Sequence, residues 1–252
     1  YGAVETKEKY FWKWKEVNPV HNKNDNYLLQ ITKSIRNKAS NEIYPLDKNI
    51  IEMLNKERFL ELLHDFIVYD RGTKKLCRHN QYFGVKASQD FIRRREGGII
   101  WHTQGSGKSL TMVWLTKWIR ENVDNSRVLI ITDREELDEQ IEKVYKGISE
   151  QIYRTKSGKD LLEKLNSISP WLICSLVHKF KGKEEGDVDA YLEELKSNLP
   201  ADFRAKGDIF VFVDECHRTQ SGKLHDAMKS LLPNAMFIGF TGTPLLKKDK
   251  QT

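Results

Sequence analysis

The amino-acid sequence predicts an α/β fold in which one parallel sheet is covered by helices on both faces. Three observations carry that expectation. From residue 98 onward, five short apolar runs alternate with helix-like segments. The runs are continuously apolar rather than alternating, as strands buried on both faces must be. The first run empties into a glycine-rich turn followed at once by a helical pattern, and sheets of this kind gather ligands at the carboxyl ends of their strands.

The expected strands are residues 98–101, 128–132, 171–176, 209–213 and 237–240, all rich in Ile, Val, Leu or Phe. The expected helices are 110–121, 135–144, 158–165, 188–195 and 224–231, each with apolar residues at helical spacing. Residues 1–75 read differently. An aromatic and basic stretch, Tyr10-Phe-Trp-Lys-Trp14, precedes an Asn- and Lys-rich segment. A helical pattern at 27–37 and an amphipathic one at 56–68 follow. The division expected is therefore a mostly helical connector, 1–75, and an α/β domain, 76–252. The polar run 181–187 reads as a solvated loop, and no internal repeat is present.

The chain has 252 residues, 39% of them hydrophobic and 31% charged, enough to bury a core and too apolar for a disordered chain. Forty-two Lys and Arg against 36 Asp and Glu leave a net charge of +6, a modest basic excess compatible with a polyanionic partner. Three widely spaced cysteines, Cys77, Cys174 and Cys216, make neither a disulfide framework nor a metal clip. No apolar run reaches the ~18 residues of a membrane span, so the expected location is the cytoplasm.

The chemistry begins with His102-Thr-Gln-Gly-Ser-Gly-Lys-Ser109. Gly105 and Gly107 let backbone N–H groups close on anionic oxygens, and the helix start adds unpaired donors and a positive dipole end. Lys108 reaches toward β- and γ-phosphates, and the Ser109 hydroxyl is placed for Mg²⁺. Thr103, Gln104 and Ser106 complete the loop. The usual pattern has a small residue where His102 stands. Downstream, the apolar run 209–213 delivers Asp214 and Glu215 side by side. Asp214 is the expected Mg²⁺ carboxylate, and Glu215 the base that polarises attacking water.

With Thr241-Gly-Thr-Pro244 after the last strand, these boxes resemble, in kind and order, those of the superfamily-two helicases and translocases. The segments Trp101–Met112, Thr132–Ile141, Val213–Arg218 and Gly239–Leu245 together look like the motor (R) subunit of type I restriction enzymes, from about residue 57 and most clearly from 97. In that subfamily the loop follows Trp-His, so His102 becomes a marker. The resemblance implies a RecA-like first motor domain, bound ATP and Mg²⁺, and coupling of hydrolysis to duplex DNA translocation and cleavage. It implies methyltransferase (M) and specificity (S) subunits as partners, and makes residues 1–75 the end of a nuclease domain plus a helical linker, with Tyr1–Lys15 leaving the nuclease and Lys56–Tyr69 as the linker helix. Arg78-His-Asn-Gln81 falls where the family reads the adenine edge, which an amide suits by offering a donor and an acceptor. His217, Thr241, Gly242 and Thr243 match the boxes that relay nucleotide state, and Arg134 and Lys179 match two DNA-backbone boxes.

Glu5-Thr-Lys7 has nuclease-like spacing without the acidic residue a metal site needs, and is read as chance. The expectation is a fragment: the nuclease core and a second motor domain, with its arginine finger, lie elsewhere, and the fragment alone hydrolyses ATP poorly. Two other readings stand beside this one. One is a different superfamily-two helicase or translocase; the other is a nucleotide-regulated DNA-binding scaffold without turnover.

Overall fold

The computed structural model describes residues 50, 52–70, 72–103, 105–132, 135–146, 150–176, 188–214 and 221–242. Six strands form one wholly parallel sheet: β3 (Gly98–Trp101), β4 (Ser126–Thr132), β5 (Tyr153–Arg154), β6 (Leu172–Leu176), β7 (Asp208–Asp214) and β8 (Met236–Thr241), in the order β3-β8-β7-β4-β6-β5. The five expected strands are all present: β3 with the expected bounds, β6 beginning one residue later, and β4, β7 and β8 extended by two residues each. The two-residue edge strand β5 is too short to leave a pattern in the sequence.

Alternation along the central strands explains the two faces. Val128 and Ile130 of β4, with Phe210 and Phe212 of β7, enter one core, whereas Leu129, Ile131, Val211 and Val213 enter the other. The first core is covered by α2 (His79–Arg93), α3 (Lys108–Asn122) and α4 (Glu135–Lys146). The second is covered by α5 (Gly158–Leu165), α6 (Val188–Ser197) and α7 (Ser221–Leu231). Helix α3 is buried nearly all round, from Thr111 to Ile119, because it is packed between the sheet, α2 and α4. This is the doubly wound, RecA-like sheet that the sequence predicts.

The N-terminal side differs from expectation. Helix α1 (Lys56–Asp65), capped by the Asn55 side chain, stops three residues short of the amphipathic pattern. The chain then enters a hairpin, β1 (Ile67–Asp70) with β2 (Thr73–Leu76). Leu62 and Phe66 are buried at helical spacing, Phe66 and Val68 at strand spacing, so the apolar signal runs on while the backbone changes. Ile67 and Val68 are β-branched and the turn holds Gly72 at φ +76°, both favouring the hairpin. Phe66 packs on Tyr82 and Trp114, with ring centroids 4.9 and 6.1 Å away, so this segment shares the first core. Helix α2 left little signal because its buried face carries Gln81, Ser88 and Gln89 among the apolar residues.

At the amino end of the sheet, Arg127 is 3% exposed yet donates five hydrogen bonds, all to the carbonyls of Lys164, Leu165, Pro170 and Lys206. Two of these close α5, where a cation also meets the negative end of the helix dipole. Arg127 therefore clamps the end of the sheet opposite the glycine-rich loop.

Candidate functional site

Three strand ends build the site. The register pairs Ile100 of β3 with Phe240 of β8, and Phe240 with Asp214 of β7. The exit of β3 into the loop and the Asp214 carboxylate thus share one edge of the sheet, two strand spacings or roughly 10 Å apart. Asp214 is 8% exposed at the end of its strand, and Thr241, buried, ends β8 between them.

The loop is braced from α2. The Gln81 amide oxygen accepts from the Arg78 main-chain N–H at 2.7 Å, half of a capping box. Its Nε2 donates to the carbonyls of Ser106 at 3.1 Å and Gly107 at 2.9 Å. The Arg78 guanidinium donates to the Gly105 carbonyl at 3.1 Å. Gly105 and Gly107 sit at φ +74° and +85°, where a side chain is strained. A Cβ on Gly107 would also run into Gln81 Nε2.

The cradle fits a phosphate chain. Among the described residues beyond its chain neighbours, nothing lies within 4 Å of the Cβ position of Gly105, and the N-cap of α3, just before Lys108 and Ser109, is Gly107, which has no side chain to cap it. Its first-turn N–H groups point out of the helix with the positive end of the dipole behind them. Ser106 Oγ is buried with no hydrogen-bond partner among the described residues. Thr103 leads into this turn.

His102 is buried beside the loop, its main-chain N–H donating to the Thr241 carbonyl at 3.0 Å. Burial lowers its pKa, the nearby Asn80 backbone opposes that, and the charges of Lys108 and His79 lower it further. These surroundings favour the neutral form of the imidazole next to a lysine. Trp101 Nε1 donates to the Gly242 carbonyl at 3.0 Å.

The structure therefore gathers Arg78, Gln81, Thr103, Gly105, Ser106, Gly107, Lys108 and Ser109 around one loop, with Asp214, Thr241 and Gly242 along the same sheet edge. Gln104, Arg134, Lys179, Glu215, His217 and Thr243 lie outside the described residues. The bracing contact of Arg78 with Gly105 has no separate sequence signal, because it joins residues 27 apart. Arg93, Arg94 and Arg95 are paired with Asp90, Glu96 and Asp208, as a solvated helix end should be. Among the described residues, His64, Asp65 and Glu121 also lie close enough to hold a metal, but the Lys117 ammonium stands 3.9 Å from Glu121 and donates to the His64 carbonyl. A cation is already in place there.

Comparison with known proteins decides the family. The SWI2/SNF2 ATPase family matches residues 80–252, well over half of the chain and the whole of the sheet. The chain belongs to the SWI2/SNF2 ATPase family. Curated relatives of the chain include type I restriction endonuclease subunits. The putative type I restriction enzyme MjaIXP endonuclease subunit of Methanocaldococcus jannaschii is 29% identical over 82% of this chain and 20% of its own length. The type I restriction enzyme HindI endonuclease subunit of Haemophilus influenzae is 29% identical over 79% of this chain and 21% of its own. This chain thus spans about a fifth of the length of these relatives. In structure it is similar to the SWI2/SNF2 ATPase core of Sulfolobus solfataricus, solved with double-stranded DNA, at a TM-score of 0.50 and 16% identity. That likeness covers 75% of this chain and 36% of the other, and at such identity it speaks for the fold. The resemblance to the type I restriction motor subunit, read from the Trp-His loop and the acidic box, agrees with these relatives. No helix among the described residues is long and apolar enough to cross a membrane.

Proposed function

We propose that this chain is the ATP-binding part of a type I restriction motor subunit, with residues 76–252 as its first motor domain and 1–75 as the connector before it. The observation that carries this reading is the braced loop: glycines at positive φ, held by Gln81 and Arg78, open onto an uncapped helix N-terminus beside Lys108. A loop fixed before the ligand arrives loses less freedom on binding, which is how a phosphate cradle gains affinity. Arg78, Gln81 and the loop residues 103–109 form the nucleotide site. Lys108 neutralises the β- and γ-phosphates, and Ser109 with Asp214 would hold Mg²⁺, which draws charge from the transferring phosphoryl group. Glu215, next in sequence to Asp214, polarises the attacking water. His217 and residues 241–243 relay nucleotide state, and Arg134 and Lys179 contact the DNA backbone. In the whole protein, working in the cytoplasm with M and S subunits, hydrolysis drives duplex DNA translocation and ends in cleavage.

The test is Glu215→Gln in the assembled restriction complex. It should keep ATP binding within about twofold and lower DNA-stimulated ATP hydrolysis by 10²-fold or more, the scale of a lost general base. Retained hydrolysis would remove Glu215 from that role, whereas a wild-type complex that binds ATP without hydrolysing it would favour the scaffold reading.

A further inference from the structure

The chain enters the phosphate loop through two residues that no motif role absorbs. Trp101 ends β3 with its side chain on the surface, 59% exposed, yet its indole N–H donates to the Gly242 carbonyl. An aromatic residue with that much exposure contributes little by burial, so its polar handle is what distinguishes it from Phe. His102 follows, its main chain bonded to Thr241 and its buried ring set tightly against α2, where a Cβ on Gly84 would come within 3.1 Å of Nε2. Two consecutive residues at the mouth of the loop thus grip Thr241, the last residue of β8, and Gly242 just after it.

The two grips differ in kind. The bond from His102 to Thr241 continues the parallel ladder that pairs Trp101 with Thr241. It fixes the height of β8 against β3 and belongs to any sheet of this design. Gly242 lies past the last registered pair, and there a side chain takes over from the ladder. Movement of the main chain at 101–103 therefore acts on the turn through a rigid indole.

We propose that Trp101 is a positioning residue that ties the Gly242 turn to the mouth of the phosphate loop, so that nucleotide occupancy of the loop sets the conformation of the turn. The inference rests on the reading that the loop binds nucleotide, and reaches beyond it by assigning the link to one hydrogen bond. Removing the donor while keeping the ring should leave the loop able to bind and the turn unable to respond.

The experiment is hydrogen–deuterium exchange on the full chain with Mg²⁺ and a non-hydrolysable ATP analogue. It compares the wild type, Trp101→Phe and an isosteric replacement of Trp101 by benzothienylalanine, which has no N–H. In the wild type the analogue should slow exchange at both 105–109 and 239–242. In the two variants the loop should respond at an unchanged analogue midpoint, while the response of 239–242 falls fivefold or more. Equal responses of the turn in all three proteins, or a wild-type turn that ignores the analogue, would overturn the tether and leave nucleotide binding intact. Variants that lose the response at both places would show a merely structural tryptophan and overturn it too. No response anywhere in the wild type would overturn the nucleotide reading and the tether with it.

Discussion

Gln81 shows how one side chain can be recognised in sequence for one task and found in the structure at another. A glutamine just upstream of a phosphate loop suits an adenine edge, and the resemblance to the restriction motors assigns it that role. Here both amide protons go to loop carbonyls and the oxygen takes the Arg78 N–H. The bonds that exist are to the protein's own loop, and they make a prediction that adenine reading does not. Gln81→Ala should weaken ATP and GTP alike, by about tenfold, the worth of one to two net hydrogen bonds. Titration of both nucleotides checks it: a loss confined to ATP would return Gln81 to the base. The phosphate-loop lysine and the acidic pair were legible because their chemistry demands fixed residue types at fixed spacing. Arg127 was not, since an arginine satisfied by four backbone carbonyls answers to no motif.

Elements were legible where burial is two-sided and hidden where it is mixed. The strands β3, β4, β6, β7 and β8 announced themselves as apolar runs, because helices cover both faces of the sheet. Helix α1 was overextended because Phe66 and Val68 continue its apolar periodicity into a strand. Helix α2 leaves no clear apolar stripe because the face it buries includes two glutamines, one of which braces the loop. That loop is the element on which function turns, and Gly107 is its tightest point. Gly107→Ala meets both a φ of +85° and the Gln81 amide, so it should lower stability by about 2–3 kcal/mol and nucleotide affinity by more than tenfold. Adding Gln81→Ala removes the collision but not the backbone strain, so the double variant should recover part of the stability. Thermal or denaturant unfolding of the three proteins measures this. Additive losses would mean that the two residues do not meet.

At the scale of the molecule, the sheet separates structure from chemistry. Its amino end is clamped by Arg127, and its carboxyl end carries the loop, Asp214 and the Thr241–Gly242 turn. The whole-chain charge of +6 is modest, and Arg93 to Arg95 are already paired, so no arginine cluster on that helix end offers itself to DNA. If duplex DNA is held through phosphate contacts, as proposed for Arg134 and Lys179, affinity of the assembled complex should fall steeply with salt. Each phosphate neutralised adds about −0.9 to the log–log slope. Arg134→Ala should flatten that slope by about one, and an unchanged slope would remove Arg134 from the interface.

The nucleotide site stands on the loop holding a triphosphate, and that is directly measurable. Mg-ATP binding to the full chain, followed by calorimetry with Lys108→Ala beside the wild type, should show saturable one-to-one binding that the substitution abolishes. Equal affinity in the two proteins would contradict the assignment of the loop.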